Sequence, residues 1–174
     1  MEDDRSFAQV INHEAGGHGF GRLADEYDGR YQVLTDDIAE ELNYFQNYGF
    51  YRNVDTTGDS QMINWAHLLA EGNYSSQVGI YEGGYYCSKG VWRSSYNSIM
   101  RHNTGGYNAP SREIIYRRAM ELSKGDDYDY SLQDFVEFDA RNLDAEMLLG
   151  CSSCMDERDI EFIPFAKPVI LMNQ

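Results

Sequence analysis

The chain has 174 residues, 42% hydrophobic and 14% aromatic, enough for a packed core and simplest as one domain. Its 29 acidic and 14 basic residues leave a net charge of −15, which excludes a nucleic-acid partner that needs a basic face and docking on anionic lipid. No run of about 18 apolar residues occurs, so no membrane insertion is expected, and the acidic opening MEDDRSFAQV does not read as a signal peptide.

Phe7, Val10, Ile11 and Ala15 space an apolar face along a first helix, from about Ser6 to the pair Gly16-Gly17. Thr35 or Asp36 can cap a second helix carrying Ile38, Leu42 and Phe45, with a stop near Gly49. Residues 55–59 read as a turn, and residues 63–69 as a short helix or buried segment. The β-formers of residues 78–81 and 85–92, separated by Gly83-Gly84, predict a hairpin turning at the glycines. Residues 94–107 are loop-like. Pro110 stands near the start of a helix that runs to about Ser123 and ends at Gly125, with Arg112, Arg117 and Arg118 expected on a solvated face. Ser131 can cap a further short helix bearing Phe135 and Phe138. Residues 143–168 are mixed, and residues 169–172 predict a final strand. Cys87, Cys151 and Cys154 are no disulfide framework, and the lone CxxC predicts a local disulfide or two thiols. The run Asp126-Asp127-Tyr128-Asp129 is not expected to bind calcium, because the sixth loop position after Asp127 is Leu132 rather than glycine.

The chemistry concentrates in FAQVINHEAGGHGFGRLADEY, Phe7 to Tyr27. Neutral imidazoles are good zinc ligands, and an adjacent carboxylate can serve as general base. His13-Glu14 followed by His18 is the metallopeptidase pattern H-E-x-x-H with one residue too many. On a regular helix two residues five apart diverge by about 140° and cannot share a metal. A π-type turn absorbs one residue and restores the pair. Gly16-Gly17 lies where glycine's tolerance of unusual dihedrals makes that distortion cheap.

His13 to Tyr27 resembles the active-site signature of the IgA-peptidase-like metallopeptidases, a branch related to the metzincins. Leu23, Asp25, Glu26 and Tyr27 match the family's tail, and the extra glycine departs from the shorter motif. The resemblance implies zinc held by His13, His18 and a carboxylate, with Glu14 as the base. In metzincins the third ligand falls six residues past the second histidine, after a glycine; Gly21 matches that glycine, but the ligand position is Ala24. Asp25, one residue on, is the expected ligand, Glu26 the alternative, and His102 a further place to look. Ser98-Ile99-Met100 resembles the Met-turn, a polarizable apolar floor under the imidazoles. His102 follows where several metzincins carry a tyrosine facing the metal, a position from which it could polarise the scissile carbonyl. Gly105 to Met120 is also similar to the family and carries no catalytic role. His67 has no ligand partner at helical spacing and reads as structural.

The implied fold is α+β, a metzincin-like zincin catalytic domain over residues 1–174, mainly helical with a few short strands. Residues 1–30 would form the active-site helix and zinc-binding tail, and residues 31–174 a C-terminal subdomain with the Met-turn. Only 12 residues precede His13, so the chain is expected to be the C-terminal part of a catalytic domain that lacks the N-terminal sheet. The implied activity is zinc-dependent hydrolysis of protein or peptide substrates, in a secreted or cell-surface protein. Specificity for immunoglobulin A belongs to few members and is not carried over. The rival is an inactive zinc-binding remnant that acts as a binding module. No oligomeric state is specified.

Overall fold

A computed structural model describes residues 4–103 and 105–150. The chain divides into two units, Met1–Val136 and Glu137–Gln174. Among the described residues it combines six α-helices with a three-stranded antiparallel sheet, an α+β arrangement. The expected strand at residues 169–172 and the Cys151–Cys154 pair lie outside the described residues.

Helix α1 (Asp4–Ile11) runs without a break into a π-helix, Asn12–Phe20. The helical segment thus continues past the glycine pair where the sequence suggested its end. The side chains of Phe7, Val10 and Ile11 are exposed. Helix α2 (Asp36–Asn47) begins after Thr35, whose extended backbone suits an N-cap, and buries Leu42. Strand β1 (Val54–Asp55) takes only the first residue of the turn expected at 55–59, and Val54 and Asp55 pair with Arg93 and Trp92. Helix α3 (Ala66–Ala70) follows, and Trp65 just before it donates its indole N–H to the Gly79 carbonyl.

Strands β2 (Tyr81–Gly84) and β3 (Cys87–Arg93) form the hairpin, and β3 is central in the order β1-β3-β2. The turn is not at the glycines. It falls on Tyr85 and Tyr86, with φ of 48° and 65°, while Gly83 and Gly84 lie in the strand beside a bulge. A two-residue turn with both φ positive is the type I′ geometry that matches strand twist. Two tyrosines hold it at a cost of roughly 1–2 kcal/mol each.

Helix α4 (Ile99–His102) is a single turn inside the expected loop. Helix α5 (Ala109–Lys124) starts with Pro110 in its first turn, is capped by the Asn108 side chain, and stops at Gly125, φ 68°. Helix α6 (Leu132–Gly150) opens with the Ser131 hydroxyl accepting from the Asp134 N–H, and is longer than expected.

The first unit buries three apolar clusters. Ile63, Trp65, Leu68, Tyr116 and Phe135 anchor the largest. Ala24, Leu42, Val54, Cys87 and Val91 form the second, which seats the sheet against α2. Leu23, Ile99 and Met100 form the third, directly under the histidine-bearing helix.

Candidate metal centre

In the π-helix the i→i+5 hydrogen bonds place residues five apart above one another, so His13 and His18 share a face. Gly16 and Gly17 contribute differently from the expectation. Neither adopts positive φ; their missing side chains make room instead. A Cβ on Gly17 would collide with the Met100 thioether, and one on Gly16 with the Tyr107 hydroxyl, which donates to the Asn12 carbonyl. Met100 is fully buried in this position below the helix.

Beyond the helix the chain reverses at Arg22, a non-glycine residue with φ 55°. Gly21, the residue matching the family's glycine, stays right-handed at φ −73°. The reversal aims Asp25 back at the histidines. Asp25 Oδ1 lies 3.0 Å from His13 Nε2 and 3.2 Å from His18 Nε2, and the two Nε2 atoms are 3.1 Å apart. Ligands about 2.0–2.1 Å from a tetrahedral zinc stand about 3.3 Å from one another, so the three atoms fit that ion.

The tautomers sharpen the fit. His13 Nδ1 lies 2.8 Å from the Ile99 carbonyl and His18 Nδ1 2.8 Å from the Leu23 carbonyl. Each Nδ1 must therefore carry its proton as a donor, and in the neutral ring each Nε2 is a bare lone pair. Two lone pairs and a carboxylate oxygen then converge within hydrogen-bond distance, an arrangement that calls for a cation. The Asp25 carboxylate, against the opposing effect of burial, raises the His18 imidazole above its ordinary pKa. Burial opposes ionisation of Asp25, but the His18 ring, the Tyr86 hydroxyl and the charge field of both histidines outweigh it and hold the carboxyl below its ordinary value.

Asp25 is itself steered. Tyr86 donates its hydroxyl to Asp25 Oδ2, which leaves Oδ1 facing the histidines. The Tyr85 N–H bonds the Asp25 carbonyl at 3.0 Å and the Tyr86 N–H bonds the Tyr27 carbonyl at 2.7 Å. The left-handed tyrosine turn of the hairpin thus docks on the Asp25–Tyr27 tail. Burial pushes the Tyr86 phenol well up, and the carboxylate it serves reinforces the shift, so it stays a donor. Tyr27 stacks on His13, with ring centroids 5.8 Å apart.

Glu26 points the other way. It is fully buried and receives hydrogen bonds from Ser98 Oγ at 2.6 Å, Asn53 Nδ2 at 3.1 Å and Asn108 Nδ2 at 2.9 Å. Burial pushes its carboxyl up, opposed by these donors. Glu26 therefore ties the tail to the sheet edge, to Ser98 before α4 and to the start of α5. Glu14 is exposed, and its charge acts on both His18 and Tyr27. His102 ends α4, exposed and outside the His13–His18–Asp25 cluster. His67 is structural in a way its helix could not announce: it bonds Glu113, on α5, at 2.8 Å.

Residues 52–119 match the family model of IgA Peptidase M64. The match supports the resemblance to the IgA-peptidase-like metallopeptidases over that stretch. No match is found among curated proteins. The matched stretch does not include His13, His18 or Asp25. It does include the parts that surround them: the Ile99 carbonyl, the Met100 floor, the Tyr86 hydroxyl and the three donors to Glu26.

Proposed function

We propose that the chain is the zinc-binding part of a metzincin-like catalytic domain and cleaves peptide bonds in protein substrates. The observation that carries this reading is the convergence of His13 Nε2, His18 Nε2 and Asp25 Oδ1 within about 3 Å of one another, beside Glu14. Three protein ligands leave a tetrahedral zinc one open position, as catalytic rather than structural zinc requires. When bound there, zinc supplies a Lewis acid that polarises the scissile carbonyl and makes water a nucleophile near neutral pH.

The remaining work falls to the chain. The Nδ1 donors of His13 and His18 fix the direction of both Nε2 lone pairs, and Tyr86 does the same for Asp25 Oδ1. Glu14 follows His13 directly and is the assigned base. It takes a proton as water oxygen bonds to the carbonyl carbon, and returns it to the amine nitrogen as the C–N bond breaks. His102 is proposed to help polarise the carbonyl, from an exposed position that substrate would have to engage.

Casein hydrolysis with and without a chelator, in parallel for wild type and Glu14→Gln, tests the assignment. The glutamine keeps the shape and the metal but cannot accept the proton, so activity should fall by about 10²–10⁴-fold at unchanged zinc content. Undiminished turnover in Glu14→Gln removes Glu14 from the reaction. Zinc bound without turnover in wild type replaces the peptidase with a binding module.

A further inference from the structure

We propose that the cleft formed by the Arg22 turn, the end of α2 and the outer face of α5 binds a small multivalent oxyanion, a compound with two or more phosphate or carboxylate groups. The cavity is about 380 Å³, within the range of small-molecule sites. Arg22, Arg52, Arg117 and Arg118 line it, and Glu121 is its one acid. The whole chain has about two acids per base, 29 to 14, whereas this wall has four bases to one acid. Four guanidiniums brought together in so acidic a protein repel one another unless something negative joins them.

Their other contacts leave the hydrogen-bonding edges available. The Arg22 guanidinium lies 4.5 Å over the Phe50 ring, Arg118 5.7 Å over Phe20 and Arg117 4.1 Å over Tyr130. Stacking occupies the flat face of a guanidinium, braces it, and spares the fork of N–H donors that suits carboxylate and phosphate. Among the described residues the nearest ion pair of the four is Arg117 to Glu113 at 3.9 Å, the outer limit of such a contact. Arg52 donates to the Gln46 carbonyl, at 3.5 Å. The chain's net charge of −15 disfavours a long polyanion, which would have to lie along acidic surface, and admits a small one. The inference does not depend on the metal or on peptidase activity.

Calorimetric titration of the full chain at physiological salt tests it, with pyrophosphate and propane-1,2,3-tricarboxylate as separate probes. One of them should bind saturably at one per chain, and the tighter of the two names the phosphate or carboxylate class. Arg52→Gln/Arg118→Gln should weaken it by about tenfold or more. Arg52→Gln alone, at an exposed position that leaves folding intact, should weaken it measurably. Lys89→Gln, which removes a positive charge elsewhere, should change nothing. Zinc chelation by a probe would be equal in wild type and variants, so only the difference between them counts. Absence of saturation with both probes, or an equal loss in Lys89→Gln, overturns the proposal.

Discussion

At the scale of the residue, the two acids of the tail have opposite fates although they are neighbours. Successive side chains in an extended tail point apart, so one of the pair faces the histidines and the other the core. The sequence pointed to Asp25 by a family spacing displaced by one residue. The reason for Glu26's different place was illegible, because its three partners come from residues 53, 98 and 108. Two outcomes separate the roles. Asp25→Ala should lose most zinc at micromolar protein while the fold persists, read by metal analysis after dialysis. Glu26→Ala should destabilise the fold, by on the order of 3 kcal/mol, because it strands three buried donors. Loss of zinc without loss of stability in Glu26→Ala would reverse the assignment. Tyr86 was equally hidden, 61 residues from Asp25. Tyr86→Phe keeps the ring and deletes the hydroxyl that orients Asp25, so zinc affinity should drop by about 10–100-fold. Competition with a chromophoric chelator reads that change, and equal affinity in the two proteins would show that Asp25 orients itself.

At the scale of the element, the π-helix was legible because an i,i+5 histidine pair on one metal permits little else. Its extent was not, since the sequence supplies a reason for one inserted residue, and the structure spreads the wider turn over Asn12–Phe20. The hairpin was legible as a hairpin and misread at its tip. Gly83-Gly84 is the stronger local turn signal, but it is outweighed by the hydrogen bonds that Tyr85 and Tyr86 make to the tail. Long-range docking of this kind offsets backbone strain that no local rule predicts. The glycines of the active helix can be separated by substitution. Alanine gains about 1 kcal/mol over glycine inside a helix. At Gly17 the new methyl would strike the Met100 sulfur, and overpacking costs about 1–3 kcal/mol. At Gly19 the nearest atom is the Glu14 carbonyl oxygen at 3.4 Å, an ordinary contact. Gly17→Ala should therefore lower the melting temperature and Gly19→Ala should not. Equal melting temperatures would mean that Met100 moves aside freely.

At the scale of the whole molecule, the candidate metal centre joins parts that the sequence keeps apart. The π-helix and its tail supply the three converging atoms, the turn at Ile99-Met100 supplies the residue beneath them and a carbonyl, and the hairpin steers Asp25. Zinc bound there would stabilise the folded unit, Met1–Val136, through a closure that the unfolded chain lacks. At free zinc about 100 times its dissociation constant, a ligand specific to the native state adds about 2.7 kcal/mol. For a domain of this size each kcal/mol moves the melting temperature by roughly 2–4 °C, so zinc should raise it by about 5–10 °C over the chelated protein. Scanning calorimetry with zinc and with chelator reads the shift directly. The same comparison on Asp25→Ala should show most of it gone, because two imidazoles alone close a weaker loop. A melting temperature indifferent to zinc in the wild-type chain would separate the convergence of His13, His18 and Asp25 from metal binding. A shift of equal size in Asp25→Ala would mean that zinc stabilises the protein somewhere other than this centre.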